Sequence, residues 1–150
     1  MSKNLITAAA ALCAIFIVGL ACKGYTEGKP AAEKAVTEFH SMLDEGRFDE
    51  IYDASAEAFK EAASREEMLK LLNAVHSKLG NVKSSTATRW QVGNYDLQTS
   101  VTLVEETTFE KGKGVETFTF FVDGDRAELA DGSSSSRTIA SGASRHPPHV

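Results

Sequence analysis

Apolar positions between residues 31 and 80 recur every three or four residues, a period that predicts amphipathic α-helices. In chain order, the three apolar faces consist of Ala32, Ala35, Val36, Phe39, Met42 and Leu43; of Phe48, Ile51, Tyr52, Ser55 and Phe59; and of Met68, Leu71, Leu72, Val75 and Leu79. Glycine is expected to end the first helix at Gly46 and the last at Gly80, and a break near Ala54 divides the middle one. A serine–glutamate capping box, residues 64–67, is expected to start the last helix.

Beyond Gly80 the period changes to two, and threonine, valine and aromatic residues dominate, which predicts β-strands. Apolar alternation is clearest at Val101 and Leu103 in one strand and at Phe118, Phe120 and Val122 in the next. A hairpin is expected at residues 110–114, EKGKG, and a tight turn at Asp123-Gly124. Helices followed by a run of antiparallel strands indicate the α+β class.

The first apolar segment has the layout of a secretory signal peptide. Lys3 precedes an uncharged run from Leu5 to Ala21, and Ala21 supplies the small residue that signal peptidases need before the cut. With 17 residues, the run reaches only the short end of the length that spans a bilayer. A cleaved signal is therefore preferred, and an uncleaved transmembrane anchor is the alternative.

Cys22 follows this run directly, and Val18-Gly19-Leu20-Ala21-Cys22 resembles the bacterial lipobox. The resemblance implies a diacylglycerol on the Cys22 thiol, cleavage before Cys22 and attachment of the mature protein to a membrane. Two or three acyl chains hold a protein firmly to a bilayer, whereas a single chain is marginal. Lys23 stands where an inner-membrane retention aspartate would stand, which favours the outer membrane facing the periplasm. An ordinary cleaved signal without lipid is the remaining alternative.

The C-terminal end also departs from the folded pattern. From Asp131 it reads DGSSSSRTIASGASRHPPHV, which has too few large apolar residues to offset the entropy of ordering the chain. We therefore predict a signal peptide at 1–21, a lipidated cysteine and tether at 22–30, a single domain at 31–131 and a disordered tail at 132–150.

Charge and cysteine content narrow the possible partners. The 150-residue chain has a formal net charge of −5, and removal of residues 1–21 takes away Lys3 and leaves about −6. An acidic protein has no electrostatic attraction to nucleic acid, so no nucleic-acid partner is expected. Cys13 would leave with the signal and Cys22 would carry lipid, so no disulfide is expected either.

Residues 35–82, AVTEFHSMLDEGRFDEIYDASAEAFKEAASREEMLKLLNAVHSKLGNV, resemble a group of small bacterial secreted and lipoprotein domains known as domain of unknown function 4019. The likeness covers about residues 31–130. It implies a nuclear transport factor 2-like fold, in which N-terminal helices pack on a bent antiparallel sheet shaped as a cone. Family members commonly close with a tryptophan and a Leu-x-Gly-Tyr end, which GDRAELADG, residues 124–132, lacks. No catalytic residue carries over from the family.

Some cone-shaped domains are acid–base enzymes, so titratable and aromatic residues beside the apolar faces are candidates for a cavity. The candidate cavity residues are His40, Tyr52, His76 and Trp90, with Asp49 as a further acid. His40 and His76 flank the apolar stripes and are expected at the boundary of the core, with their polar edges in water. Tyr52 and Trp90 are expected in the core or at the rim of a cavity.

Four acidic residues lie in the strand region, namely Glu105, Glu106, Glu110 and Glu116. Alternation puts Glu106 and Glu110 on one face and Glu105 on the other, so the four are expected to form a solvated sheet surface rather than a cation site. His146 and His149, separated by two prolines, are not expected to hold a metal. The chain has no P-loop, HExxH or CxxC motif, and neither a metal nor a cofactor is expected.

Two functions of different classes remain open. The first is a non-catalytic module of the cell envelope, anchored through Cys22, that binds an envelope protein or a small apolar ligand. The second is a cavity enzyme of the isomerase or dehydratase kind. The first is preferred, and the interior of the domain discriminates between them, because convergent titratable groups favour catalysis whereas an apolar interior favours binding.

Overall fold

The computed structural model describes residues 28–95 and 97–136, with side chains up to residue 133. It is an α+β fold in which four helices precede four strands, as the sequence pattern predicts. The helices are α1 (Lys29–Asp44), α2 (Phe48–Asp53), α3 (Glu57–Ala62) and α4 (Arg65–Leu79), and the strands are β1 (Val82–Tyr95), β2 (Gln98–Phe109), β3 (Gly112–Asp123) and β4 (Arg126–Ser136).

Helix α1 begins before the predicted domain boundary at residue 31. Gly28 precedes it in a left-handed conformation, with φ of 88°, and accepts a hydrogen bond from the Ala32 N–H at 3.0 Å. Pro30 stands in the first turn, where a missing N–H costs no helical hydrogen bond. The last residues of the predicted 22–30 tether are therefore helical. Gly46, with φ of 71°, follows the other end of α1, as predicted.

The break between α2 and α3 and the start of α4 both lie where the sequence pattern predicts them. The break predicted near Ala54 separates α2 from α3. The predicted capping box opens α4: the Glu67 N–H donates to the Ser64 hydroxyl at 3.4 Å, and the Glu67 carboxylate accepts from the Ser64 N–H at 3.1 Å. Leu71 departs from its predicted buried face and is 55% exposed.

The sheet is open, antiparallel and ordered β1-β2-β3-β4, so every strand pairs with its neighbours in sequence. Two-residue connections at 110–111 and 124–125 join β2 to β3 and β3 to β4, which confirms the predicted hairpins. Register irregularities between Ala87 and Arg89 and between Thr119 and Phe120 mark bulges. Bulges of this kind bend a strand and increase its local twist.

Strand β4 extends past the domain end predicted at residue 131. Ser133 pairs with Thr117, and Ser136 pairs with Gly114. The serine run was expected to be disordered because it offers no apolar side chains, but a β-ladder is built from backbone N–H and C=O groups, which serine provides. The boundary at 131/132 is therefore corrected to lie beyond Ser136, and the remainder of the predicted tail lies outside the described residues.

The core lies between the helices and one face of the sheet, and α1 contacts all four strands. The ring of Phe39 on α1 packs edge-on against Phe118 on β3, with centroids 5.1 Å apart. The Ala56 N–H donates to the Leu129 carbonyl at 2.8 Å, which ties the start of α3 to β4. The buried apolar residues include Val36, Phe39, Leu43, Ile51, Phe59, Met68, Leu72, Val101, Leu103, Phe109, Phe118, Phe120 and Leu129.

Candidate functional site

Two glutamates share the helix-covered face of the sheet with the apolar core. Side chains alternate along a strand, so Glu105 has the same orientation as the buried Val101 and Leu103. Glu116 likewise follows the orientation of Phe118 on β3. Glu105 and Glu116 are directly paired across β2 and β3, and each residue is only 4% exposed. The sheet therefore carries two adjacent carboxyl groups into the interior.

A continuous chain of hydrogen bonds joins these carboxyl groups, and we call it the buried polar network: His40, Glu116, Thr107, Ser85 and Glu105. His40 Nε2 lies 2.8 Å from Glu116 Oε2, which also accepts from the Thr107 hydroxyl at 2.5 Å. Thr107 Oγ1 lies 2.9 Å from Ser85 Oγ, and the Ser85 hydroxyl contacts Glu105 Oε2 at 2.7 Å. The network spans α1 and strands β1 to β3.

The contacts between Glu105 and Glu116 outnumber the hydroxyl protons available to them. Three oxygen–oxygen contacts connect Glu105 to Glu116, but the hydroxyl groups of Ser85 and Thr107 supply only two protons. The third contact is a hydrogen bond only when one of the two carboxyl groups carries a proton.

A cavity of about 430 Å³ opens beside the network, between α3, α4 and the sheet. Its lining is mainly apolar and includes Phe39, Leu43, Phe59, Met68, Leu71, Leu72, Val75, Phe118 and Leu129. Glu116 also lines it and is the point where the cavity meets the buried polar network. The volume falls within the range of small-molecule sites, and a mainly apolar wall with few polar groups is typical of them. Leu71 is exposed because it borders this space rather than a packed surface.

Three carboxylates contribute the charge of the lining: Glu116 in the wall, and Glu67 and Asp131 nearer to solvent. Hydrogen bonds from the Ser64 hydroxyl and the Ser64 N–H lower the pKa of Glu67. The capping box thus further favours the ionised form of Glu67, which a glutamate already adopts at neutral pH. No lysine, arginine or histidine is among the lining residues in the part of the chain that the structure describes.

The prediction for His40 was wrong. It was expected at the edge of the core with its polar edge in water, but it is only 7% exposed and its Nε2 bonds to Glu116. Its ring also lies edge-on to Phe118, with centroids 5.9 Å apart. The physical reason is the partner: once Glu116 is in the core, the imidazole gains a hydrogen bond there that replaces the one to water.

The other candidate residues neither join the network nor line the cavity. His76 is half-buried near the end of α4, where its Nε2 lies 3.0 Å from Asn81 Oδ1. Trp90 is half-buried on β1, and Lys29 Nζ lies 5.9 Å from its ring centroid. Of the predicted cavity residues, only His40 therefore reaches the buried polar network.

Tyr52 and Asp49 belong to a cluster around Arg65 at the start of α4. The Arg65 guanidinium lies 4.7 Å from the Tyr52 ring centroid and bonds to Asp49 at 2.7 Å and to Asp53. Hydrogen bonds to Asp53 and then to Asp49 raise the pKa of Arg65. The Tyr52 hydroxyl donates to the Ala63 carbonyl at 3.3 Å. These contacts fasten α2 to α4 and leave no group facing the cavity.

The expectation that the strand glutamates form a solvated surface was half wrong. Glu106 and Glu110 are exposed, but Glu105 and Glu116 are buried. The sequence carried the signal for both, because Glu105 continues the alternation of Leu103 and Glu116 continues that of Phe118. A carboxylate at the same alternate positions as the buried residues of a strand is expected on the core face of the sheet, even though its own hydropathy is low.

The predictions for membrane attachment and metal binding concern residues that lie mostly outside the described part of the chain. Cys22, His146 and His149 are outside the described residues, so lipidation stays a prediction. Within residues 28–136, apart from Asp96, no three His, Cys, Asp or Glu side chains are grouped as metal ligands would be. Over the same ranges, no helix is both long and apolar enough to cross a membrane.

Protein-family models and curated proteins supply no relative of this chain. A scan against protein-family models matches none of them, and a search of curated proteins finds no significant similarity. The likeness to domain of unknown function 4019 therefore stays a prediction.

Proposed function

We propose that the protein is a lipid-anchored module of the bacterial cell envelope that binds a small, largely apolar molecule in the cavity beside α4. The observation that carries this proposal is the cavity itself, about 430 Å³ with an apolar lining and one buried carboxylate, Glu116. Burial of apolar surface would supply the affinity, and Glu116 would orient the polar end of the ligand. An envelope protein as the partner is the weaker choice, because this concave site suits a small molecule.

The proposal takes the fold to be a nuclear transport factor 2-like cone of the domain of unknown function 4019 family. Three features support it: helices precede the strands, α1 contacts all four strands, and bulges interrupt the ladders of β1 and β4. The proposed anchor rests on the lipobox-like sequence that ends at Cys22. In this account the lipid on Cys22 holds the domain at the membrane surface, where apolar small molecules concentrate.

The methionines offer a direct test of ligand binding. The chain has three, Met1, Met42 and Met68; Met68 lines the cavity, whereas Met42 is half-buried on α1 and does not line it. The full chain, labelled with ¹³C at the methionine methyl groups and held in nanodiscs of zwitterionic lipid, is titrated with cyclohexylmethanol. A saturable shift of the Met68 signal with an unmoved Met42 signal supports the proposal. Equal shifts at both, or none, would count against it.

A cavity enzyme is the second candidate, and the buried polar network is the observation that favours it. Glu116 lines the cavity while bonded to His40 and Thr107, so a proton taken from a ligand could pass into the network. Exchange with solvent deuterium would reveal such chemistry. If the full chain catalyses exchange of the α-protons of cyclohexanone in D₂O and Glu116→Gln does not, the enzyme replaces the binding module as the preferred function.

A further inference from the structure

The cavity has an acidic and an apolar character at once. Glu67, Glu116 and Asp131 line it together with a mainly aliphatic and aromatic wall. Among the described residues, no basic side chain lines it to offset these carboxylates. A ligand that enters would therefore meet negative charge at the point where its polar group must settle.

Glu116 is the group that such a ligand would reach inside the wall. Its side chain is 5% exposed, and its Oε2 accepts from both His40 and Thr107. No residue within 28–95 or 97–133 hydrogen-bonds to its Oε1. A carboxylate oxygen has room for two hydrogen bonds, so with respect to the side chains within 28–95 and 97–133 Oε1 retains its acceptor capacity, on a residue that borders the cavity.

His40 is the one basic group bonded to Glu116 in the described part of the chain, and it does not line the cavity. Its bond goes to Oε2 and leaves Oε1 without a bond from His40. Glu67 adds a second negative charge at the start of α4, where the Ser64 hydrogen bonds lower its pKa. The negative character of the lining therefore does not depend on Glu116 alone.

From this arrangement we infer that the cavity selects apolar molecules that carry a protonated amine, over the matching alcohols and above all over carboxylic acids. This inference rests on the proposed binding function and names its ligand class. An ammonium group can donate a charge-assisted hydrogen bond to Glu116 Oε1 and is attracted by Glu67 and Asp131. A carboxylate head would meet like charge and find no donor among the lining side chains, apart from the hydroxyl of Ser133.

A matched series of ligands tests the selectivity. Cyclohexylmethylamine, cyclohexylmethanol and cyclohexanecarboxylate have the same ring and differ in the polar group alone. Each is titrated at pH 7 into the full chain in nanodiscs, with the Met68 methyl signal as the readout and the free ligand concentration measured. The amine is expected to bind about tenfold tighter than the alcohol, the difference typical of a charged against a neutral hydrogen bond, and the carboxylate weaker than both.

Variants assign the preference to named groups. Glu116→Gln should remove most of the preference for the amine, and Glu67→Gln, at an exposed position, should remove part of it without any risk to the core. Glu57→Gln is the matched control, since Glu57 is exposed on α3 and does not line the cavity. Its amine-to-alcohol ratio should equal that of the unaltered protein.

The failure of this inference is distinguishable from the failure of the proposed function. If none of the three ligands shifts the Met68 signal selectively, the cavity is not a binding site, and both the proposed function and the ligand selectivity are overturned. If the alcohol or the carboxylate binds at least as tightly as the amine, binding stands and the selectivity is overturned. A preference for the amine that survives both Glu116→Gln and Glu67→Gln also overturns it.

Discussion

Thr107 connects the two halves of the buried polar network. It is 1% exposed, donates to Glu116 and contacts Ser85. Replacement by valine keeps the shape but removes one of the two hydrogen-bond partners of Glu116 Oε2, which keeps His40, and one of the two partners of Ser85, which keeps Glu105. Thr107→Val should therefore lower the free energy of unfolding by about 1–3 kcal/mol.

The neighbouring threonine provides the control for this measurement. Thr108 is half-buried on the opposite face of β2, and Thr108→Val should change stability by no more than about 0.5 kcal/mol. Urea denaturation measures the free energy of unfolding of both variants. Equal midpoints for Thr107→Val and the unaltered protein would mean that the network contributes nothing to stability.

Phe39 is the residue at which the predicted apolar face of α1 meets the sheet. It is 9% exposed and packs against Phe118. Phe39→Ala should destabilise the domain by about 3–5 kcal/mol, as aromatic truncation in a core does. A denaturation midpoint close to that of the unaltered protein would show that α1 does not depend on this contact.

At the scale of single residues, burial of apolar side chains could be predicted from the sequence, but the polar partners could not. Phe39 followed from its place in a helical stripe. His40 did not, because its partner lies 76 residues away on β3, and no local pattern encodes that pairing. Glu116 was predictable in orientation from the alternation of β3, yet its low hydropathy argued for the surface.

The start of β1 depends on a glycine at the end of α4. Gly80 has φ of 72°, and a Cβ there would lie 2.5 Å from Glu110 Oε2 and 3.0 Å from Glu110 Cβ. The same Glu110 oxygen accepts the Asn81 N–H at 3.2 Å. Alanine at this position would therefore strain the backbone and displace the carboxylate that fastens the turn.

Gly46 is a control that separates backbone strain from the contact with Glu110. It ends α1 with a similar φ of 71°, but a Cβ there would meet nothing within 4 Å. Gly46→Ala should cost about 1 kcal/mol from backbone strain alone, and Gly80→Ala should cost more. Thermal unfolding compares the two. A Gly80→Ala variant no less stable than Gly46→Ala would refute the contact with Glu110.

Strand β4 is the element on which sequence and structure differ most. Truncation after Asp131 removes the part of the ladder that pairs residues 132–136 with β3, whereas truncation after Ser136 leaves that ladder intact. The shorter chain should therefore melt at a lower temperature than the longer one. Identical melting temperatures, with fast amide exchange at 132–136, would return the domain boundary to residue 131.

Helices, caps and hairpins were predictable because each has a local signature. The capping box of α4 and the tight turn after Asp123 are encoded within a few residues. The end of β4 was not, since a polar strand at a sheet edge is held by backbone pairing and leaves no apolar periodicity. The cavity was not predictable either, because it is the space left between α3, α4 and the sheet.

At the scale of the whole molecule, we propose that a lipid on Cys22 holds the binding domain at the membrane. Cys22→Ser should abolish membrane retention, because the thioether has no other thiol in the mature chain on which to form. Labelling of cells with an alkyne fatty acid, followed by fractionation, measures this. Equal labelling of the variant and the unaltered protein would exclude the anchor without affecting the proposal for the cavity.

The central claim is that the cavity binds an apolar molecule, and two alanines of α3 test it. Both are exposed, but only Ala62 lines the cavity, whereas Ala58 does not. The measurement is the dissociation constant for cyclohexylmethanol from the Met68 methyl shift in Ala62→Phe and Ala58→Phe. We expect the larger side chain in Ala62→Phe to occupy part of the cavity and weaken binding at least about tenfold, with Ala58→Phe unchanged. Equal affinities in the two variants would contradict the claim.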